Sequence, residues 1–571
     1  MNLEAKFTEE QREVLPSPFF KPAHLGVVTL GFLSKELPAS LISGRLASSL
    51  SQETGASVVL VRLQTFNDSP ALSYAFDDNA TVVDWAPADS VLQRQFQGCS
   101  LAKTEQGFDL MTFDVRSGHL MANRISSLVN QLKRHFRYVL IEAVADDPVR
   151  SLIPEFLKHS DSSYLFLRPK GEDLKELDER TAGLRDRLPP GNNRFKAVLV
   201  LDQYAYGDSI DSLLKHSVVP IERFIHNCPG ELTRNHAGVQ FHQTDPFGAD
   251  IRRLAREIGG RLLGLVLSSG AAKGFAHIGV IQVLEENGIE VDIVAGASIG
   301  AYIGALWTYG HDGKELERLA RELEGRWGLW NLVDPVFPPR QGFLRGFALR
   351  KRLMRSIGHA RFADLLKPLR VVAGNLGTLD RVTFGSGEVA AAVHASMAVP
   401  GICVPVKIEG ESYIDGGIVD PVPVNVLRDM GVSRVIAVNV IPTPERMRLG
   451  FEAERANARQ KDTRLRKLFR RMFPLDKQLN YFAPGNLFEI LARSIHGAQI
   501  RLADASCRLA DITLRPDICD DRWLDCRNPG RFIALGRQAA EAQLEQIKGL
   551  ARETESNDER ELARGTMAAV A

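Results

Sequence analysis

Two successive series of short apolar runs, separated by polar segments of helix length, constrain the fold of this chain more than any other feature. Apolar strands alternating with helices are typical of parallel α/β sheets that are buried on both faces. The sequence therefore predicts two α/β domains in tandem. The first series is LGVVTLGFL (25–33), SVVLVRL (57–63), RYVLIEAV (137–144), SYLFLRP (163–169) and FKAVLVL (195–201). The second series is RLLGLVLSSG (261–270), VDIVAGAS (291–298), LRVVAGNL (369–376) and SRVIAVNV (433–440).

The domain boundaries follow from these series and from the segments that flank them. After Pro442 the pattern becomes polar and helical, and the last residues are rich in charge, which is typical of a disordered tail. We predict a flexible tail over 1–20, an N-terminal α/β domain over 21–258 and a second α/β domain over 259–442. A helical C-terminal extension over 443–550 and a disordered tail over 551–571 complete the prediction.

Composition narrows the setting of the protein. The chain has 571 residues, is 44% hydrophobic and 25% charged, and carries a net charge of +1, so we expect no nucleic-acid partner. Its six cysteines form no CxxC pair, and no signal peptide opens MNLEAKFTEEQREVLPSPFF. We therefore expect a cytoplasmic protein. Because no apolar run reaches about 18 residues, any membrane contact is expected to be peripheral, at the inner face of the cell membrane.

A strand-to-helix loop in the N-terminal domain lies where a phosphate-binding loop would lie. The segment TLGFLSKELPASLISGRLASSL (29–50) contains Gly31 and Lys35 without the G-x-x-x-x-G-K-[ST] spacing, and Pro38 removes a backbone donor. The strand RYVLIEAV carries an acid near its end. This layout resembles a degenerate relative of the ParA/MinD-type P-loop ATPases. Retained nucleotide binding is one hypothesis, and a structural or regulatory sheet is the one we favour.

A candidate nucleophile lies in the stretch DIVAGASIGAYIGALW (292–307). Ser298 stands between an apolar strand and a helix, with Gly296 and Gly300 two residues away on either side. Small residues at these positions are required when a serine sits on a sharp strand-to-helix elbow, because side chains there would collide. An ordinary connection rich in small residues is the alternative interpretation.

The preceding strand leads into a second small-residue loop. In SGAAKGFAHIGVIQVLEENGI (269–289), a loop precedes an amphipathic helix that ends at Asn287-Gly288. Several backbone N–H groups can converge at such a helix start, where the helix dipole favours negative charge. We therefore expect an oxyanion hole in this loop.

A base for Ser298 has to be found among the later residues. The acid candidate is Asp415 in ESYIDGGIVDPVPV (411–424), although Asp-Gly is also common in simple turns. No histidine stands in a recognisable base motif. We interpret His496 as a helix-end histidine and His277 as a buried structural one, with a triad base as the alternative for each. The histidines that follow Ser298 are His311, His359, His394 and His496.

Together these residues resemble the patatin-like phospholipases, serine lipid hydrolases with a Ser–Asp dyad. The family loop G-G-G-x-[RK]-G is matched by residues 269–274, the elbow by 296–300 and the D-G-[GA] motif by Asp415-Gly416-Gly417. The element A-S-x-A-x-P is matched by residues 395–400, with Pro405 following. The resemblance implies that Ser298 is the nucleophile and Asp415 the base, with no cofactor and no metal. It further implies an oxyanion hole at Gly270, Ala271, Ala272 and Lys273.

The resemblance covers residues 262 to 440 and implies a patatin-like α/β hydrolase domain. The helical extension is similar to that of bacterial members akin to neuropathy target esterase. The implied activity is hydrolysis of acyl esters in phospholipids or lysophospholipids. Ser269 and Ala271 depart from the family glycines, and a side chain at 271 restricts φ. A non-catalytic, partner-binding or membrane-binding module is therefore the alternative function.

Two further segments bear on access of substrate to the site. ARQKDTRLRKLFRRMFPL (458–475) intersperses basic with apolar residues, as an interfacial helix at anionic phospholipid head groups does. A solvated basic face packed on the domain, or a nucleic-acid patch, is the alternative. The aromatic residues of 325–347 are candidates for an acyl pocket or a lid, and core packing explains them equally well.

Overall fold

The fold is taken from a computed structural model of the chain. The structure describes residues 26–33, 37–64, 83–84, 99–114, 122–144, 153–168, 195–201, 221–226, 228, 245–324, 334–338, 340–443, 487–518 and 528–552.

The first domain is built on a mostly parallel sheet. Its described strands are β1 (Val27–Phe32), β2 (Val58–Gln64), β3 (Val83–Asp84), β4 (Cys99–Lys103), β5 (Asp109–Asp114), β6 (Tyr138–Val144), β7 (Ser162–Leu167), β8 (Phe195–Val200) and β9 (Ile221–Ile225). Within the described residues the order is β3-β4-β5-β2-β6-β1-β7-β8-β9. The strands from β5 to β9 in this order pair in parallel, and β3 and β4 add an antiparallel edge.

Helices cover both faces of this sheet, which explains why its central strands are mostly apolar. One face packs against α1 and α4, and the opposite face packs against α2 and α3. Asp245 begins α4 as an N-cap, since its carboxylate accepts a hydrogen bond from the amide of Gly248, 2.6 Å away. The helices are α1 (Ala39–Thr54), α2 (Ala122–His135), α3 (Ile153–His159) and α4 (Pro246–Ile258).

The second domain has its own mixed sheet. Its described strands are β10 (Leu263–Leu267), β11 (Ile293–Ala297), β12 (Leu369–Asn375), β13 (Arg381–Phe384), β14 (Val406–Ile408), β15 (Glu411–Asp415), β16 (Arg434–Val438) and β17 (Ile512–Leu514). The order is β14-β15-β12-β11-β10-β16-β17, with β13 paired to β12. The strands from β12 to β17 in this order are parallel, whereas β13, β14 and β15 are antiparallel. The predicted tandem of α/β domains is thus confirmed.

The helices of this domain pack on both faces of the sheet. The described ones are α5 (Ala276–Glu286), α6 (Ile299–Tyr309), α7 (Gly313–Arg321), α8 (Phe347–Ile357), α9 (Val389–Ser396), α10 (Val424–Asp429), α11 (Leu487–Cys507), α12 (Pro529–Glu541) and α13 (Leu544–Arg552). Helices α5 and α12 approach backbone to backbone, because a Cβ on Gly279 would collide with the carbonyl of Ile533 and one on Gly536 with that of Ala276.

The C-terminal region is integrated into the second domain. Its described residues, 487–518 and 528–552, are mostly helical, as predicted, but they also supply β17, which pairs in parallel with β16. This strand was not expected, because the three residues of Ile512–Leu514 carry too little periodicity to be recognised in a polar region.

Helix α4 joins the two domains through arginine side chains, of which Arg256 makes the most ion pairs. Arg256 lies 2.6 Å from Asp292 of the second domain and 3.1 Å from Glu53 of α1, and it also pairs with Glu290. Asp292 in turn accepts a hydrogen bond from the amide of Leu263, 2.8 Å away, at the start of β10. The domains are therefore connected by a partly buried ion-pair network.

The acid noted at the end of β6 is already committed within the first domain. Glu142 is buried and lies 3.1 Å from the Nε of Arg62, which is buried as well. It also accepts a hydrogen bond from the hydroxyl of Ser43 in α1. Pro38 stands at the N-cap of that helix and has no N–H to offer to a phosphate. Lys35 lies outside the described residues.

We predict that Mg-ATP leaves the melting temperature of the full-length protein unchanged. Glu142, the acid of β6, is held by Arg62 and Ser43, so it is not free to orient a nucleotide-bound magnesium ion. Differential scanning fluorimetry with and without millimolar Mg-ATP tests this. A ligand present at about 100 times its Kd stabilises a protein by about 2.7 kcal/mol, so a clear upward shift would show that the first domain binds nucleotide.

Candidate active site

A strained elbow carries the candidate nucleophile between β11 and α6. Ser298 has φ +54° and ψ −121°, a backbone region that non-glycine residues rarely adopt and that costs about 1–3 kcal/mol. A Cβ on Gly296 would lie 2.6 Å from the amide nitrogen of Ala301, and one on Gly300 would collide with the carbonyl of Leu267. The small residues therefore serve a sharp turn that an ordinary connection would not require.

The candidate base reaches Ser298 from the end of β15. The Ser298 hydroxyl donates a hydrogen bond to Asp415 Oδ2 at 2.6 Å, and both side chains are buried. The other carboxylate oxygen, Oδ1, accepts the amide of Gly417 at 2.7 Å. Gly416 allows the turn to pack against β12, where a Cβ would collide with the carbonyl of Val372. The D-G-G motif thus fixes one carboxylate oxygen and presents the other to the serine.

Burial tunes the Asp415 carboxylate. Desolvation raises its pKa from 3.8 to about 6, although the hydrogen bonds from Ser298 and Gly417 act in the opposite direction. A carboxylate with a pKa near 6 is a stronger base than an exposed one and is still ionised at neutral pH. Asp415 can therefore remove the proton of the Ser298 hydroxyl as that hydroxyl attacks.

A second serine supports the elbow, and sequence reasoning did not identify its role. Ser396 at the end of α9 is fully buried, and its Oγ accepts the backbone amide of Ser298 at 2.8 Å. The same hydroxyl donates to the carbonyl of Val372 in β12 at 2.6 Å. Ser396 had been noticed only as part of the A-S-x-A-x-P element. It positions Ser298, and no pattern in the sequence identifies the partners of its hydroxyl.

The predicted oxyanion loop lies against both halves of the pair. Residues Ala271–Phe275 form a short 3-10 helix, and a Cβ on Gly274 would collide with Ile299, the residue after the nucleophile. At the other end, a Cβ on Gly417 would lie 2.5 Å from the hydroxyl of Ser269. The structure therefore brings the loop, the elbow and the D-G-G motif together.

The departures from the family glycines do not prevent this arrangement. Ala271 adopts φ +49°, the left-handed conformation expected of the glycine it replaces. Gly270 is required for space, since a Cβ there would collide with Val440. Ala272 and Lys273 are buried in the same loop. That these four residues bind an oxyanion stays a prediction.

His277 and His496, the two alternative triad bases, form their hydrogen bonds with groups other than Ser298 and Asp415. His277 lies with Nε2 2.9 Å from the carbonyl of Ser268, and burial lowers its pKa to about 4, consistent with a neutral structural histidine. His496 was expected at a helix end, but it lies within α11. Its Nδ1 is 3.3 Å from the side-chain oxygen of Gln499. Burial lowers the pKa of His496 as well. Among the described residues, the Ser298 hydroxyl bonds to Asp415 and to no histidine.

Other sequence predictions fall partly or wholly outside the described residues. The basic segment 458–475, residues 325–333 and 339 of the aromatic segment, the N-terminal tail and residues 553–571 of the C-terminal tail are not described. Within the part of the chain that is described, no group of three or more His, Cys, Asp or Glu side chains is arranged to hold a metal ion. No helix in that part is long and apolar enough to cross a membrane.

Comparison with known families agrees with this geometry. The family model of patatin-like phospholipase matches residues 265–428. The matched range contains the loop, the elbow, Ser396 and the D-G-G motif. Residues 265–428 of the second domain therefore match the patatin-like phospholipase family.

Individual relatives and solved structures resemble only parts of this chain. Lysophospholipase nte1 of Aspergillus fumigatus is 35% identical over 196 residues, which make up 34% of this chain and 13% of that protein. Lysophospholipase nte1 of Neurospora crassa is 29% identical over 336 residues, 58% of this chain and 22% of that protein. The aligned regions are thus a small share of these relatives. A ParA family ATPase from Chlorobium tepidum aligns with 41% of this chain and 99% of its own length. The sequence identity is 15% and the TM-score is 0.31.

We predict that Ser396→Ala lowers kcat by about tenfold to a hundredfold, because it leaves the buried Ser298 amide and Val372 carbonyl without their partner. Steady-state kinetics on a soluble short-chain ester measure this. Thr308→Val is the matched control, since Thr308 is as buried but its hydroxyl donates within α6, to the carbonyls of Gly304 and Ala305. The control should lose stability and keep its kcat. Equal kcat values for Ser396→Ala and wild type would show that Ser396 does not position the nucleophile.

Proposed function

We propose that this protein is a serine esterase that hydrolyses acyl ester bonds of phospholipids or lysophospholipids through a Ser298–Asp415 dyad and an acyl-enzyme intermediate. The observation that carries the proposal is the 2.6 Å hydrogen bond from the Ser298 hydroxyl to a buried carboxylate of raised pKa.

The reaction follows from the roles of these groups. Asp415 takes the Ser298 proton as Oγ attacks the ester carbonyl, and amides around Gly270 to Ala272 stabilise the oxyanion that develops. Lys273 orients this loop. The protonated Asp415 then gives its proton to the departing alcohol, which leaves the acyl group on Ser298. Water, deprotonated by Asp415, releases the fatty acid and restores the serine.

The proposed substrate class rests on the names of the family and of the similar proteins. The matched family is named for phospholipases, and the relatives from A. fumigatus and N. crassa are named lysophospholipases. We propose the same chemical class of substrate for this chain, together with a cytoplasmic location and peripheral contact with anionic membrane. A non-catalytic module is the competing function. It is disfavoured because Ala271 takes up the backbone conformation that its side chain was expected to hinder.

We predict that Ser298→Ala and Asp415→Asn each abolish ester hydrolysis, whereas His496→Ala retains it. An amide cannot accept the proton that a carboxylate accepts, and His496 contributes nothing to a dyad. Mass spectrometry of fatty acids released from a mixed phospholipid and lysophospholipid panel provides the measurement and identifies the substrate.

The histidine variant is the discriminating control. In a Ser–His–Asp enzyme, loss of the histidine costs about 10⁴-fold or more in rate. A folded but inactive His496→Ala enzyme, or an Asp415→Asn enzyme with near-normal turnover, would exclude the proposed dyad.

We predict that kcat/KM rises with pH up to about 6 and then levels off, because Asp415 must be ionised to act as a base. The stability dependence has the opposite sign. The folded-state pKa lies above the unfolded value, so the contribution of Asp415 to stability is present at low pH and is lost as pH rises through about 6. At pH 8 the buried charge therefore costs about 3 kcal/mol.

Denaturant unfolding of wild type and Asp415→Asn at pH 8 and pH 4.5 tests this assignment. The variant should be the more stable protein at pH 8, and the difference should shrink at pH 4.5. A variant that is less stable than wild type at pH 8 would contradict a desolvated carboxylate at this position.

A further inference from the structure

One loop beside the active site exposes aromatic side chains to solvent. We call residues 334–338 and 340–347 the aromatic loop. Phe337 at its tip is 95% exposed and Phe347 at the start of α8 is 55% exposed. A lone exposed apolar residue is ordinary, whereas several on a single short loop are candidates for contact with an apolar partner.

Hydrogen bonds and a β-bridge hold the aromatic loop in a defined conformation. The amide of Val336 donates to the carbonyl of Phe343 at 2.8 Å, and Pro335 and Leu344 form an antiparallel bridge. At its base, the carboxylate of Asp334 accepts the amide of Gly346 at 3.0 Å and also that of Ala348. Phe337 is thus held away from the fold by a hydrogen-bonded turn.

The loop is hydrogen-bonded to residues 398–402, a segment that also contacts the backbone of Asp415. The amides of Phe343 and Leu344 both donate to the carbonyl of Ile402 at 2.9 Å. A few residues earlier in that segment, the carbonyl of Ala398 accepts the amide of Asp415 at 2.9 Å. Whatever binds the aromatic loop therefore binds next to the catalytic pair.

Basic side chains accompany the aromatic ones. Arg340 and Arg345 in the loop and Lys351 and Arg355 in α8 are exposed. Two further basic residues of α8 are neutralised, since Arg350 pairs with Glu388 at 2.6 Å and Arg352 with Glu322 at 2.9 Å. Exposed aromatic residues beside basic side chains for which the described residues show no ion pair are the pattern of an interfacial segment that docks on anionic lipid.

We propose that the aromatic loop inserts Phe337 and Phe347 into the surface of an anionic lipid bilayer, with Arg340, Arg345 and Lys351 at the level of the head groups. A bilayer surrounds a projecting ring on all sides, which suits a side chain as exposed as Phe337. The inference rests on the proposed function in one respect, namely that an esterase of lipids has to meet its substrate at a lipid surface. It supplies the way in which the dyad is brought to that surface.

Vesicle co-sedimentation of the full-length protein tests the proposal. The vesicles contain phosphatidylcholine alone or with phosphatidylserine, and the variants are Phe337→Asp, Phe337→Trp and Arg345→Glu. The control is Leu366→Asp. Leu366 is 46% exposed but precedes β12, at the edge of the sheet opposite Ser298. Hydrolysis of a soluble short-chain ester is measured in parallel, together with melting temperatures and molar mass in solution.

The proposal requires that wild type bind vesicles containing phosphatidylserine and that Phe337→Asp bind them about tenfold or more weakly, the scale of one buried aromatic side chain. Arg345→Glu should weaken binding about fivefold or more, and Phe337→Trp should keep binding and gain fluorescence quenching by brominated lipid. Leu366→Asp should bind as wild type does. Hydrolysis of the soluble ester should be unchanged in all four.

Equal vesicle binding by wild type and Phe337→Asp would overturn the proposal. So would a change from dimer to monomer in Phe337→Asp without any vesicle binding by wild type, which would assign the loop to a second copy of the chain. Failure of the proposed function reads out separately. In that case wild type would not hydrolyse the soluble ester, while its vesicle binding would still respond to Phe337→Asp.

Discussion

The backbone conformation of Ser298 is the constraint on which the candidate site depends. At φ +54° the chain turns sharply from β11 into α6, which points the hydroxyl toward Asp415 and leaves the backbone amide to Ser396. Such a turn is unfavourable in isolation and persists only where surrounding contacts fix it. Those contacts come from residues far apart in sequence. Gly300 packs on the end of β10, Ser396 ties the elbow to β12, and the loop before α5 packs on Ile299. The site is therefore a product of the whole second sheet.

The same dependence explains why the domain does not end with its catalytic motifs. Helix α12 lies against α5, the helix that follows the oxyanion loop, at a separation that only Gly279 and Gly536 permit. Strand β17 extends the sheet beyond β16. On the other side, Arg256 links the first domain to Asp292, immediately before the strand that carries Ser298. Both flanking regions thus support β10 and β11, whose ends present the site.

Much of this could be predicted from sequence, because the strongest signals are steric. Glycines at 296, 300, 416 and 417 are needed because side chains there would collide, so residue type points to the two turns, whereas Asp415 is assigned as the base only through the family resemblance. The role of Ser396 could not be predicted, since its two partners are set by how α9 packs on β12 and β11. Composition also cannot separate a buried phenylalanine from an exposed one, so the sequence does not decide whether the aromatic segment is a lid, an acyl pocket or part of the core. His496 was expected at a helix end, but its helix begins at Leu487 and ends only at Cys507, with no sharp capping signal near residue 496.

The most direct test of the account is where a fluorophosphonate probe attaches. Such a probe phosphonylates an activated serine and leaves unactivated hydroxyls intact, so it reports the nucleophile without knowledge of the substrate. The full-length protein is treated with the probe, and the modified peptide is mapped by tandem mass spectrometry. The account predicts one stoichiometric adduct, on Ser298, that disappears when the protein is unfolded before treatment. An adduct on another residue, or none on the folded protein, would contradict an activated Ser298.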